Sequence, residues 1–133
     1  MKALIIGCTR VGSMVAVNLH SKGHSVRIMD SNPRNFLRLP EDLRDTSTVK
    51  IDAINESVFR SVGIESFDVL IAASPRDTRN IFVAQLAKHI FGMKRVICHV
   101  NDPKRYEMYQ DLDLGVVGPT QFVVDAINQN IFP

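Results

Sequence analysis

Residues 4–13 read LIIGCTRVGS, and how this stretch folds decides the rest of the chain. An apolar run over 3–6 breaks at Gly7, and a second glycine, Gly12, follows where a helix begins. A continuous apolar run is the mark of a parallel strand buried on both faces. Gly7 permits a tight turn out of that strand, and Gly12 lets the next helix pack close to the sheet. The unpaired amides at the helix's amino end then face outward, where they can hold a pyrophosphate. The stretch falls one glycine short of the G-x-G-x-x-G turn of dinucleotide folds, because Thr9 stands at the middle position. Its Cβ sits where the backbone approaches pyrophosphate most closely, while its hydroxyl can itself donate to a phosphate.

Outward from this turn, strands and helices alternate. Val11, Val15, Ala16 and Leu19 repeat at helical spacing, and Gly23 closes that helix as a C-cap. Residues 26–29 form a second strand ending at Asp30, and Asn32-Pro33 marks a turn. Residues 34–48 are the least legible; Phe36, Leu37 and Leu39 suggest a short helix broken by Pro40. A short strand over 49–51 and a helix over 53–62, ending at Gly63, come next. FDVLIAAS (67–74) is the clearest strand. Pro75 ends it, and Asp77 or Thr78 can cap a helix that buries Ile81, Phe82, Leu86 and Ile90. A strand over 95–100, a helix over 103–111, a strand over 115–117 and a helix over 119–132 complete the pattern. The expected fold is α/β: a doubly wound, mostly parallel, Rossmann-like sheet of about six strands in one domain, 1–133.

Bulk composition narrows the function classes. A chain of 133 residues, 45% hydrophobic and 23% charged, has the balance of a soluble globular domain with a sizeable core. The net charge of +2 is small, and basic residues are mixed with acids, as in RLPEDLRD (38–45). This argues against nucleic acid as a partner. Two cysteines, Cys8 and Cys98, supply neither a disulfide framework nor a metal-ligand spacing, and a reducing compartment is expected. No metal site and no membrane-inserted segment are expected, because no apolar run is long enough to span and the N-terminal one is too short for a signal peptide.

A parallel α/β sheet binds its ligand at the carboxyl ends of its strands. Asp30 stands there, close to the roughly 20-residue spacing at which a carboxylate accepts the ribose hydroxyls of a dinucleotide. It would repel a 2′-phosphate. The alternative is that Gly7 and Gly12 only shape a turn and Asp30 is a solvated strand end. Cys8 is either a redox-sensing thiolate favoured by the helix dipole or a filler of the turn, and the filler is the better reading. Arg76 and Arg79 flank the fourth strand's end and either serve a phosphate or form a surface pair. His20, His24 and His89 have no ligand-spaced partner and read as solvated or capping groups. Phe122, Val123 and Ile127 form a stripe that is either core or interface.

The segments GCTRVGS, GHSVRIMD, SVGIESFDVLIAAS, NIFVAQLAK and VICHVNDPKRYEMYQDLDLGVVGPT resemble, in order and spacing, the RCK or KTN domain of TrkA-N type. The resemblance spans nearly the whole chain, is weakest over 31–48 and most specific over 63–119. It implies a cytoplasmic, non-enzymatic Rossmann unit that binds an adenine nucleotide, NAD/NADH or ATP/ADP/AMP. It further implies a homo-oligomer, a dimer or ring of dimers, that gates a membrane potassium channel or transporter subunit. By the same resemblance, Gly7, Cys8, Thr9, Arg10, Val11 and Gly12 hold phosphates, Asp30 holds the ribose, and Ser31 belongs to the same cofactor site. Asp52 and Ala53 lie near the adenine, Ala73 and Ser74 lie beside phosphate or ribose, and Asn80 has a structural role. The last helix would serve dimer contacts.

The chain also departs from the family's pattern. Besides Thr9, Ile51 replaces a glycine before Asp52, Pro75-Arg76 replace an acidic pair, and His99 stands where relatives often carry arginine. The C-terminal RCK subdomain of longer relatives is absent from these residues. Two alternatives to a ligand-sensing regulator follow: a Rossmann scaffold that assembles without a ligand, and an NAD-dependent oxidoreductase. The second needs a substrate domain for which the chain has no room. The expectation is an adenine nucleotide held more loosely than is usual in the family.

Overall fold

The computed structural model describes residues 1–132; Pro133, the last residue of the expected domain, lies outside them. Six strands alternate with helices: β1 (Lys2–Ile6), α1 (Arg10–Ser21), β2 (Ser25–Asp30), α2 (Glu41–Ser47), β3 (Thr48–Lys50) and α3 (Glu56–Ser61). Then come β4 (Val69–Ala72), α4 (Asp77–Gln85), β5 (Val96–His99), α5 (Pro103–Tyr109), β6 (Gly115–Val117) and α6 (Pro119–Ile131). A 3₁₀ turn, Pro33–Arg38, joins β2 to α2, and a π turn, Leu86–Ile90, extends α4. All five strand pairings are parallel, in the order β3-β2-β1-β4-β5-β6. The strand order therefore reverses between β1 and β4.

The period-2 alternation of each strand divides the core in two. Ala3 and Ile5 of β1, Val26 and Ile28 of β2 and Val69 and Ile71 of β4 face Ala16, Phe36 and Leu43. Leu4, Ile6, Leu70, Ala72, Val96 and Cys98 face the other way, against Phe59, Val83, Ala84 and Ala87. Helices α1 and α2 with the 3₁₀ turn thus cover one face, and α3, α4 and α5 the other.

Three elements depart from the expected pattern. Residues 41–47 are helical: Pro40 stands at the N-cap of α2 rather than ending order, and only Leu43 and Ser47 are buried. Helix α3 starts at Glu56 because the Asn55 side chain caps it, accepting from the Val58 amide at 2.9 Å, which releases 52–54 into a loop. On α4 the buried face is Asn80, Val83 and Ala84, whereas Phe82 and Ile90 are more than half exposed. Small residues let α4 lie close on the sheet, and the wider π turn rotates Ile90 out to solvent. Helix α6 buries none of its residues, so the stripe of Phe122, Val123 and Ile127 is not core.

Candidate functional site

The carboxyl ends of β1, β2, β3 and β4 meet around the opening turn. Gly7 adopts φ +106°, a region favouring glycine, and a Cβ there would fall 2.7 Å from the Ser74 amide nitrogen. A Cβ on Gly12 would fall 2.0 Å from the Gly7 carbonyl oxygen, so α1 packs onto the loop more closely than any side chain allows. Thr9 is the N-cap of α1: its Oγ1 accepts from the Gly12 amide at 3.1 Å and donates to the Ala73 carbonyl at 2.7 Å. The hydroxyl expected to be free for a phosphate is therefore already engaged on both sides.

Asp30 organises the loop facing it. Its Oδ2 accepts from the Cys8 amide at 2.8 Å, and its Oδ1 from the Asn32 amide at 2.8 Å and from Asn35 Nδ2 at 3.1 Å. A carboxylate offers about four lone-pair sites, so capacity for a ligand hydroxyl remains. Asn35 in turn accepts from Arg38 Nη1 at 3.0 Å. Sequence reading assigned no site role to Asn32, Asn35 or Arg38; Asn32 was read only as part of the Asn-Pro turn, and Asn35 and Arg38 fall in the least legible stretch, 34–48.

These elements enclose a cleft of about 150 Å³. A single water needs only ~10–15 Å³ on this measure, so the space suits an organic group rather than an ion. Ile6, Met29, Ile51 and Ile54 make its apolar floor, with Asp30, Ser31, Asn32, Asn35 and Asp52 along one rim. Ser74, Pro75 and Arg79 form the opposite wall. Of the residues expected at the site, Gly7, Asp30, Ser31, Asp52, Ala53 and Ser74 line the cleft. Cys8, Thr9, Arg10, Val11, Gly12 and Ala73 do not. Cys8 and Ala73 are buried behind it, and Arg10 and Val11 are exposed at the start of α1. Ile51, where a glycine was expected, contributes floor. Asp52 is exposed and pairs with Lys50 at 2.9 Å, which holds its carboxyl below the usual range.

Behind the cleft lies a buried polar latch. Asn80, fully buried, donates through Nδ2 to the Ser74 and His99 carbonyls, each at 2.8 Å. Its Oδ1 accepts from the Ser74 amide at 2.9 Å and the Ser74 hydroxyl at 2.7 Å. The structural role expected of Asn80 is thus to pin the ends of β4 and β5 to α4. Asp77 does not cap α4, whose N-cap, Arg76, makes no side-chain bond. It accepts instead from the Asn101 and Asp102 amides at 2.8 and 2.9 Å, with Arg105 Nη1 at 3.7 Å. His99 Nδ1 is buried without a partner among the described residues.

The cysteines are unsuited to redox sensing. Burial, with a smaller contribution from Asp30, pushes the Cys8 thiol from 9.0 up to about 11, and the thiol donates to the Asn35 carbonyl at 3.2 Å. Burial and then Asp77 push Cys98 up to about 12. Reactive thiols are low in pKa and accessible; these are neither. A raised thiol pKa means that the folded state keeps a proton the unfolded state loses. The neutral thiols' contribution is complete below the unfolded value of 9.0 and declines as pH rises toward 11. Urea melts are expected to show stability falling between pH 9 and 11, and Cys8→Ser should flatten that fall. A stability profile flat across this window would count against buried, neutral thiols.

Among the described residues, no three His, Cys, Asp or Glu gather as a metal site, and no helix is long and apolar enough to cross a membrane. Comparison with known proteins gives a consistent result. The chain is 32% identical over 133 residues to the Trk system potassium uptake protein TrkA of Streptomyces coelicolor, covering all of this chain and 59% of that protein. It is 32% identical over 124 residues to TrkA of Mycobacterium tuberculosis, covering 90% of this chain and 54% of the relative. The chain thus spans a little over half the length of these relatives. Among solved structures, the TrkA-N domain of the Escherichia coli inner membrane protein ybaL superposes with TM-score 0.80 at 17% identity, over 96% of this chain and 94% of that one. GsuK bound to ADP superposes with TM-score 0.76 at 20% identity, over 96% and 32%, and GsuK has also been solved as a channel bound to NAD. The family profile of the TrkA-N domain matches residues 3–118, and the chain belongs to that family.

Proposed function

We propose that this domain binds an adenine nucleotide at the cleft and regulates a potassium transport system, carrying out no chemistry of its own. The observation that carries the reading is the cleft itself. An apolar floor of Met29, Ile51 and Ile54 suits a purine, and the Asp30 carboxylate beside it suits a ribose, at the strand ends where such folds take ligands. The named role of the TrkA relatives supplies the transport context, and GsuK, with ADP or NAD bound, the ligand class. The domain would act on the cytoplasmic side of a membrane subunit. Regulation would follow from a difference in nucleotide affinity between two arrangements of assembled copies. The exposed apolar face of α6 suits contact between such copies.

Thermal-shift measurements with ATP, ADP, AMP, NAD and NADH test this. A nucleotide at 100 times its Kd stabilises by about 2.7 kcal/mol, a rise of several degrees in Tm. Asp30→Ala, referred to its own baseline, should lose most of that rise. Equal shifts in both proteins, or none in either, would end the nucleotide-sensing reading. Flat curves together with capture of a transporter subunit would favour a scaffold without ligand. Two observations speak for that alternative: Asp30 already accepts three bonds, and the Thr9 hydroxyl is engaged.

A further inference from the structure

The geometry points to a nucleoside polyphosphate rather than a dinucleotide as the ligand, with its phosphates turned toward Arg79 and Arg76. This rests on the adenine-nucleotide reading above. A dinucleotide on a doubly wound sheet lays its pyrophosphate across the point where strand order reverses. That point lies here between β1 and β4, and the chain itself spans it. Thr9 Oγ1 donates across the gap to the Ala73 carbonyl at 2.7 Å, and Gly7 lies against the Ser74 backbone with no room for a Cβ. Two amides of the turn are engaged within the chain, Gly12 N with Thr9 Oγ1 and Cys8 N with Asp30 Oδ2, which leaves those of Arg10 and Val11 at the start of α1.

The space that stays open runs the other way. A second cavity shares Asp52, Ile54 and Arg79 with the first, and continues past Arg76 to the exposed ring of Phe82. The charges along this route favour an anion. Asp30 sits beneath three N–H donors, and Asp52 is balanced by Lys50 at 2.9 Å. Arg76 and Arg79 are both exposed, and among the described residues neither guanidinium has a hydrogen-bond or ion-pair partner. Guanidinium groups grip the free terminal oxygens of a polyphosphate in bidentate fashion. A dinucleotide, whose two phosphates are both esterified, presents fewer such oxygens and must also place its second nucleoside.

Calorimetric titration of the chain with ADP and with NAD tests this, using wild type, the double variant Arg76→Gln/Arg79→Gln, Thr9→Gly and Asp30→Ala. Both arginines are exposed, so the double variant should keep the wild-type circular dichroism spectrum. Wild type is expected to bind ADP at least about tenfold more tightly than NAD, and the double variant to lose roughly tenfold or more for ADP with little change for NAD. Thr9→Gly should narrow the gap by improving NAD. If NAD binds wild type as tightly as ADP, the inference is wrong. It is equally wrong if ADP is lost on Asp30→Ala but unaffected by the arginine pair, an outcome that leaves the adenine-nucleotide reading standing. Absence of binding by both ligands would overturn the two together.

Discussion

Asn80→Leu is expected to destabilise the domain by roughly 4 kcal/mol, although leucine keeps the branched shape and suits an apolar core. The asparagine meets four bonds from one fully buried position, to Ser74 N, Oγ and O and to His99 O. Removing it strands these groups, three of them on Ser74, which is only 4% exposed, at about 1–3 kcal/mol for each unsatisfied group. Hydrophobic gain from the new side chain is about 2 kcal/mol at most, too small to offset several such penalties. Asn80→Asp keeps the acceptor for Ser74 but sets a buried carboxylate oxygen against the Ser74 and His99 carbonyls, so it should cost at least as much as the leucine variant. Urea denaturation followed by circular dichroism measures both variants. A loss under about 1 kcal/mol for the leucine variant would show that the latch contributes little to stability.

Gly12→Ala should cost about 3 kcal/mol or more, and here two effects oppose each other. Alanine favours a helix over glycine by about 1 kcal/mol, and position 12 lies in the first turn of α1. Against this, the new Cβ would sit 2.0 Å from the Gly7 carbonyl oxygen. That oxygen cannot retreat easily, because Gly7 is itself pressed against Ser74 and donates to the Met29 carbonyl at 2.8 Å. Overpacking against backbone typically costs 1–3 kcal/mol and sometimes more, so the clash wins. Gly23→Ala provides the contrast: its φ of +86° strains an alanine, but nothing lies within 4 Å, and about 1 kcal/mol is expected. If both variants lose equally little, the close contact of α1 with its loop is not a determinant of stability.

The sheet was legible because β1 and β4 hold uninterrupted apolar runs, and burial on both faces leaves such a strand no room for polar residues; β2 was found despite its exposed Arg27, from Val26, Ile28 and Met29. Helix α4 was legible as a helix but not as to its buried face. Asn80, Val83, Ala84 and Ala87 recur at i, i+3, i+4 and i+7, yet asparagine and alanine carry little weight in a hydrophobic pattern. Size pointed to Phe82 and Ile90, whereas proximity to the sheet selects small side chains. Helix α2 went unread because one buried leucine makes no period.

At the site, Asp30 could be found by its distance from the glycine turn. Its partners Asn32 and Asn35 could not, because hydrogen bonds across a loop leave no spacing rule in the chain. The boundary of α3 mattered most for function. Reading the helix from 53 hid the fact that Asn55 starts it and that Ile54 lines the cleft beside the expected Asp52 and Ala53.

Helix α6 has a consequence for how the chain stores its stability. Thirteen residues are near the length at which an isolated helix is marginal in water, and most helical stability in proteins comes from packing one face. With no residue of α6 buried, that packing is missing among the described residues. Its order is therefore conditional: the free energy that holds it helical must come from whatever surface covers Phe122, Val123 and Ile127. Where that surface belongs to another chain, association and the last step of folding become one event, and the local concentration of the binding surface sets how much of the helix exists.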